Sequence, residues 1–314
     1  MTSIGTIVVP LDGSQLAEAA LPYAAALARA TGAGIVLLRV IEEMRPYYDE
    51  RRREVVWIDP MNPRQELLSP ELLGAAVQRL AGLGLQAQTI VRLGDPRKEI
   101  LAEAEQHADP VIVLASHGRG GLGRVLLGSV ATRVLQLSTC PVLVVRARET
   151  DEQPAHVDFA RIAVPLDGSR EAEQALPIAR DLARATGATL HLVRVAETFR
   201  HELPDDPGSI LRTPSYEAIL ERFDQLEAEA REYLEATASQ LREQGFRVTV
   251  EVRSGDPWDE LLDYTRTSQP DLMVMTTHGR GGVARWFFGS VADRLLTHAH
   301  VPLLMIRVQA PGRQ

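Results

Sequence analysis

Two glycine-rich stretches hold the residues best suited to chemistry in this chain of 314 residues. Gly118-Arg119-Gly120-Gly121-Leu122-Gly123 leaves backbone amides open to an anion, because no Cβ stands in the way. Ten residues after Gly118 comes Gly128-Ser129, at the start of a helical pattern whose unpaired N–H groups and positive dipole end favour phosphate. Ser129 adds a hydroxyl donor. The same set returns as Gly279-Arg280-Gly281-Gly282 followed by Gly289-Ser290. The competing reading is plain turn glycines, with each serine acting only as a helix cap.

Asp12 and Asp167 each precede Gly-Ser, and two readings stand for them. Either the carboxylate accepts hydrogen bonds from a ribose hydroxyl or an amine, or it closes an Asp-Gly turn into a serine-capped helix. His117 and His278 adjoin the loops, but no carboxylate or nucleophile is spaced to make either a general base. Arg119, Arg124, Arg280 and Arg285 are either phosphate partners or solvated loop arginines.

Other motif readings fail on context. Gly118, Gly120 and Gly123 spell the dinucleotide fingerprint, yet they follow a fourth strand rather than a first, and no acidic residue stands at a strand end about 20 positions on. The lysine of a Walker loop is missing before Ser129 and Ser290. No grouping of Cys, His and carboxylates suits a dedicated metal cage.

The elements that must carry these loops occur twice. Val9-Pro10-Leu11-Asp12-Gly13-Ser14 returns as Val164-Pro165-Leu166-Asp167-Gly168-Ser169. Thr31-Gly32, Leu38-Arg39-Val40, Gly94-Asp95-Pro96 and Cys140-Pro141 return in order as Thr186-Gly187, Val193-Arg194-Val195, Gly255-Asp256-Pro257 and Val301-Pro302. The repeat is of domain size, so each copy can bury its own core. Residues 1–146 and 161–309 form the two domains, and the polar, aperiodic residues 147–160 form the linker.

In the first copy, short apolar runs predict strands over 7–11, 35–41, 86–91, 111–115 and 141–145, alternating with helices over 14–31, 67–83, 97–106 and 128–137. The second copy repeats this, with strands over 162–166, 189–195, 246–252, 272–276 and 303–308 and helices over 171–186, 216–244, 258–267 and 290–298. Such alternation predicts α/β architecture, two tandem doubly wound domains, each a five-stranded parallel sheet with helices on both faces. If the strand order is 3-2-1-4-5, the aspartate and the glycine loop meet at the carboxyl ends of the first and fourth strands, where open sheets bind ligands. Residues 42–66 read as a long irregular segment, a lid or an interface, with a shorter proline-rich counterpart over 198–214.

A net charge of −8 argues against a nucleic-acid partner. The single Cys140 reads as a buried thiol in a reducing compartment. No signal peptide or membrane span is legible, which predicts a cytoplasmic protein.

Taken together, the motifs resemble the universal stress protein family in its tandem form, and the likeness runs through nearly the whole chain. The ATP-binding branch of that family carries G-x-x-G-x9-G-[ST]. Ala115-Ser116-His117-Gly118 with Gly128-Ser129, and Thr276-Thr277-His278-Gly279 with Gly289-Ser290, match it except at the first glycine. Ala115 is small, whereas β-branched Thr276 narrows the approach.

The resemblance implies an ATP site in each copy. Asp12 and Asp167 would touch the adenosine, and Pro10 with Val40, and Pro165 with Val195, would line the adenine pocket. The backbone around Ala115, Gly118, Gly128, Ser129 and Val130 would hold phosphates, as would that around Thr276, Gly279, Gly289, Ser290 and Val291. Mg²⁺ would accompany the triphosphate. It also implies pairing through the fifth strands, between the two domains or in a homodimer. The function expected is regulatory, with nucleotide occupancy biasing conformation or partner binding in a stress response. A slow ATPase or phosphotransfer enzyme, and an interaction module without nucleotide, are the alternatives. No placed base favours an enzyme.

Overall fold

A computed structural model describes residues 4–42, 45–49, 54–58, 63–117, 127–147, 156–198, 214–277 and 288–308. The chain divides into two compact units, with the boundary between Val157 and Asp158.

The first unit runs β1 (Thr6–Pro10), α1 (Gln15–Glu18), α2 (Leu21–Thr31), β2 (Gly34–Ile41), β3 (Arg45–Asp49), β4 (Glu54–Ile58), α3 (Pro63–Gly82), β5 (Ala87–Leu93), α4 (Pro96–Glu105), β6 (Pro110–His117), α5 (Ser129–Leu137) and β7 (Val142–Ala147). Five strands pair in parallel in the order β5-β2-β1-β6-β7. Ile7, Val8 and Val9 at its centre are fully buried, as a strand covered on both faces requires.

The second unit runs β8 (Arg161–Pro165), α6 (Arg170–Glu173), α7 (Leu176–Thr186), β9 (Thr189–Glu197), α8 (Pro214–Glu243), β10 (Arg247–Gly255), α9 (Pro257–Thr267), β11 (Leu272–Thr276), α10 (Ser290–His298) and β12 (Leu303–Ile306). Its strands pair in parallel in the order β10-β9-β8-β11-β12.

Two departures from the sequence reading have local causes. The first helix of each copy is broken in two, at Ala19-Ala20 and at Gln174-Ala175. Pro22 and Pro177 follow closely, and neither has an N–H to give the preceding turn. Within residues 42–66 the chain forms an antiparallel hairpin, β3 against β4, rather than irregular structure. Its partner segment over 199–213 lies outside the described residues.

The repeated anchors prove to be backbone devices. Gly32 and Gly187 end α2 and α7 in the left-handed conformation at φ 73° and 72°. Thr31 Oγ1 donates to Leu27 O at 2.8 Å and accepts from Ala33 N at 3.2 Å. Asp95 and Asp256 cap α4 and α9, accepting from Arg97 N and Trp258 N at 3.0 Å each. Cys140 is partly exposed rather than buried, in a turn in which Ser138 Oγ donates to Cys140 O at 2.8 Å, and its partial burial pushes the thiol up and away from reactivity.

The outermost strands differ. Val91 and Leu93 of β5 are 46% and 60% exposed. In the second unit the residue matching Leu93 is Ser254, whose hydroxyl donates to Glu227 Oε1 of α8 at 2.7 Å.

Candidate nucleotide crevice

The site begins where two strands part. β1 pairs with β2 along its whole length, Thr6 to Pro10, but with β6 only from Thr6 to Val8 against Pro110 to Ile112. β6 continues beside β7 as far as His117. The second copy repeats the separation: β8 pairs with β11 only at Ile162 and Ala163, while β11 stays with β12 as far as Thr276.

A proline contributes to this in both copies. Leu11 N donates to Leu38 O at 2.8 Å, and Leu166 N to Val193 O at 2.8 Å. Peptide groups alternate sides along a parallel strand, so the nitrogens of Pro10 and Pro165 face the diverging strand and have no hydrogen to give it. Thr277 N donates to Ile306 O at 2.9 Å, away from the crevice, so the amide of Thr276 faces into it. Ile112 N donates to Pro141 O, and the same alternation turns the Ala115 amide inward.

Asp12 lies just past the end of β1 and is exposed. Its Oδ1 accepts from Ser14 N at 2.9 Å and Ser14 Oγ at 2.6 Å, while Ser14 Oγ accepts from Ala17 N at 3.1 Å and caps α1. Asp167 does the same, accepting from Ser169 N at 2.9 Å and Ser169 Oγ at 2.5 Å. The turn explanation of the aspartates therefore holds for Oδ1 in both copies. Ser14→Ala is expected to cost the first unit about 1 kcal/mol, the usual worth of such a cap, read as a lower urea midpoint at constant slope.

Beside the turn lies a residue that motif reading passed over. Arg39 of β2 is 6% exposed; its Nη1 donates to Leu11 O at 3.4 Å, and its Nε has no partner among the described residues. Burial pulls the guanidinium below its ordinary value, and the Asp12 carboxylate opposes that. Its counterpart Arg194 lies over the Tyr233 ring at 4.9 Å, and Tyr233 Oη donates to Glu173 Oε1 at 2.8 Å. A charged residue inside an apolar strand run was the available signal, though Leu38-Arg39-Val40 served only as a repeat marker.

Val40 is buried near the end of β2, while Val195, Pro10 and Pro165 are partly exposed. Gly128 and Gly289 are the N-caps of α5 and α10, and neither has a side chain to accept from the amides of the first turn. Ser129 and Ser290 are exposed there, followed by the partly exposed Val130 and Val291. Ala115 is partly exposed and Thr276 buried. Gly118, Gly279, His278 and the four loop arginines lie outside the described residues, as does the side chain of His117. Among the described residues no three His, Cys, Asp or Glu side chains gather as metal ligands.

A parallel sheet with helices, whose central strands part at their carboxyl ends, is a doubly wound α/β domain, here present twice. The sequence profile described as the universal stress protein family matches residues 3–146 and 158–307, and the chain belongs to that family. A universal stress protein of Mycobacterium bovis is 32% identical over 210 residues, a stretch covering 67% of this chain and 64% of that protein's length. One from Bacillus subtilis is 36% identical over 154 residues, 97% of its own length and 45% of this chain. Among solved structures, a universal stress protein from Archaeoglobus fulgidus shares the fold, with a TM-score of 0.69 at 22% identity, covering 96% of this chain and 98% of that one.

Proposed function

We propose that the chain is an ATP-binding regulatory protein of the stress-response type. What supports this is the split in the first unit's sheet between β1 and β6, together with a helix, α5, whose N-cap is a glycine. The adenosine would lie between Pro10, Asp12 and Val40. The phosphates would lie against the amides of Ala115, Gly118, Gly128, Ser129 and Val130, where backbone N–H groups and the helix dipole favour negative charge. The residues present fit such a ligand: Ser116 Oγ, at the carboxyl end of β6, is buried without a partner among the described residues. Mg²⁺ would arrive with the triphosphate, since no cage of protein ligands is gathered for it among the described residues.

This reading makes the protein a binder rather than an enzyme. The Asp12 oxygen that is bonded serves its own turn. Occupancy would then act through conformation or assembly, with β7 and β12 as pairing strands between domains or in a homodimer. A cytoplasmic location belongs to the same proposal; among the described residues no helix is long and apolar enough to cross a membrane.

The test is calorimetric titration of nucleotide-stripped protein with ATP and Mg²⁺, beside Gly118→Val. Saturable heat that the variant loses supports the reading. Absence of both heat and thermal stabilisation at saturating ATP would sink it in favour of an interaction module.

A further inference from the structure

We propose that the two crevices take different ligands: ATP in the first, and in the second an adenine nucleoside without a phosphate chain. The proposal rests on the nucleotide reading above and deepens it, using differences internal to this chain.

The nucleoside halves of the crevices agree in residue type, although Val195 is partly exposed where Val40 is buried and Arg194 lies over Tyr233 where Arg39 donates to Leu11 O. Pro165, Asp167 and Val195 stand where Pro10, Asp12 and Val40 stand, and Asp167 Oδ1 accepts from Ser169 N and Oγ as Asp12 Oδ1 does from Ser14. The phosphate halves differ in three ways. First, Ala115 is partly exposed at the end of β6, whereas Thr276, 6% exposed, fills the same place on β11. Its branched Cβ crowds an amide that faces the crevice.

Second, Gly289 N already donates to Thr277 O at 2.8 Å, tying the start of α10 to the end of β11. An amide in such a bond is withdrawn from any phosphate, and among the described residues Gly128 has no equivalent bond. Third, Asp293 stands exposed in the first turn of α10. The matching residue of α5 is Thr132, uncharged, with its hydroxyl donating to Leu127 O at 3.2 Å. A carboxylate there uses the favourable end of the helix dipole and repels a polyanion. Each difference acts against a phosphate chain and none acts against adenosine.

The experiment titrates stripped full-length protein with ATP and Mg²⁺, and separately with adenosine. The variants are Gly118→Val, Thr132→Asp and the double variant Thr276→Ala/Asp293→Thr. The wild type is expected to bind one ATP and two adenosines per chain, and Gly118→Val to lose that ATP. Thr132→Asp should weaken ATP about tenfold at low salt, an effect that shrinks as salt screens it, with adenosine binding unchanged. The double variant should gain a second ATP while keeping two adenosines, which also shows that its crevices are intact.

Two ATP sites of similar affinity in the wild type overturn the proposal and leave the nucleotide reading standing. So does a single ATP that survives Gly118→Val, a double variant that stays at one ATP, or a wild type that binds only one adenosine. Failure to bind either ligand sinks the nucleotide reading itself, and the proposal with it.

Discussion

Glu103→Ala is expected to destabilise the first unit by about 3 kcal/mol, a large share of the roughly 5–15 kcal/mol typical of a domain. Glu103 is 2% exposed on α4; its Oε2 accepts from Arg92 Nε at 3.0 Å and Nη2 at 2.7 Å, and Oε1 lies 3.0 Å from His107 Nε2. Removing the carboxylate leaves a cavity and a guanidinium with no counter-charge there, its Nη2 still donating to Gln106 Oε1 at 3.4 Å. Arg92 is 40% exposed and can turn to water, which puts the cost at the lower end of the range for breaking a buried pair. Urea unfolding at neutral pH should show the first unit's transition moving down while the second stays in place.

The same carboxylate sets a pH signature. Burial raises its pKa, but hydrogen bonds from Arg92 and then His107 outweigh that and leave it below the usual value of 4.5. A carboxylate held lower in the folded than the unfolded chain contributes its full stability above the unfolded value. That contribution drains away as pH falls through the folded one. Wild-type stability should therefore fall with acid over this window, and the Glu103→Ala difference should shrink with it. In the second unit Tyr264 occupies the matching position, and Arg253 pairs with Glu251, Glu260 and Asp263 instead. A gap between wild type and variant that stays constant from neutral pH to far below the usual carboxylate range would count against this account.

Gly94→Ala and Gly255→Ala are each expected to cost about 2–3 kcal/mol, at the upper end of what a forced backbone conformation stores. Their φ angles of 144° and 147° lie in a region that only glycine occupies readily. A Cβ on Gly94 would meet Glu99 Oε1 at 3.0 Å, and one on Gly255 would meet Glu260 Cγ at 3.1 Å. Gly94 N also donates to Ile41 O at 2.9 Å, so the strand end cannot swing aside without losing that bond. Each variant should lower only its own unit's transition. Variants with wild-type melting curves would show that the chain relaxes there at little cost.

The alternation of elements was legible because buried parallel strands and amphipathic helices leave distinct periods. The repeated Gly-Asp-Pro and Thr-Gly pairs were equally visible, but only as markers. Their meaning lies in φ angles and cap hydrogen bonds, which a residue string does not carry. The break after α1 was missed because Ala19 and Ala20 fit a helix well, and the disruption comes from a proline further on. Arg39 escapes the sequence because its importance depends on burial and on a hydrogen bond to Leu11 O, a contact across 28 residues of chain. The sequence leaves both roles of the aspartates open, and the turn bonds through Oδ1 show that the structural role is present whatever a ligand adds.

Leu93 and Val91 bear on how the protein behaves in a crowded solution. A parallel sheet that ends on an apolar, exposed strand presents both unpaired backbone groups and sticky side chains to whatever drifts past. The second sheet meets this hazard with a serine anchored to its long helix. On the first, Arg92 of β5 is held by Glu103 of α4, and Gln88 and Thr89 are the exposed polar residues that interrupt the apolar strand.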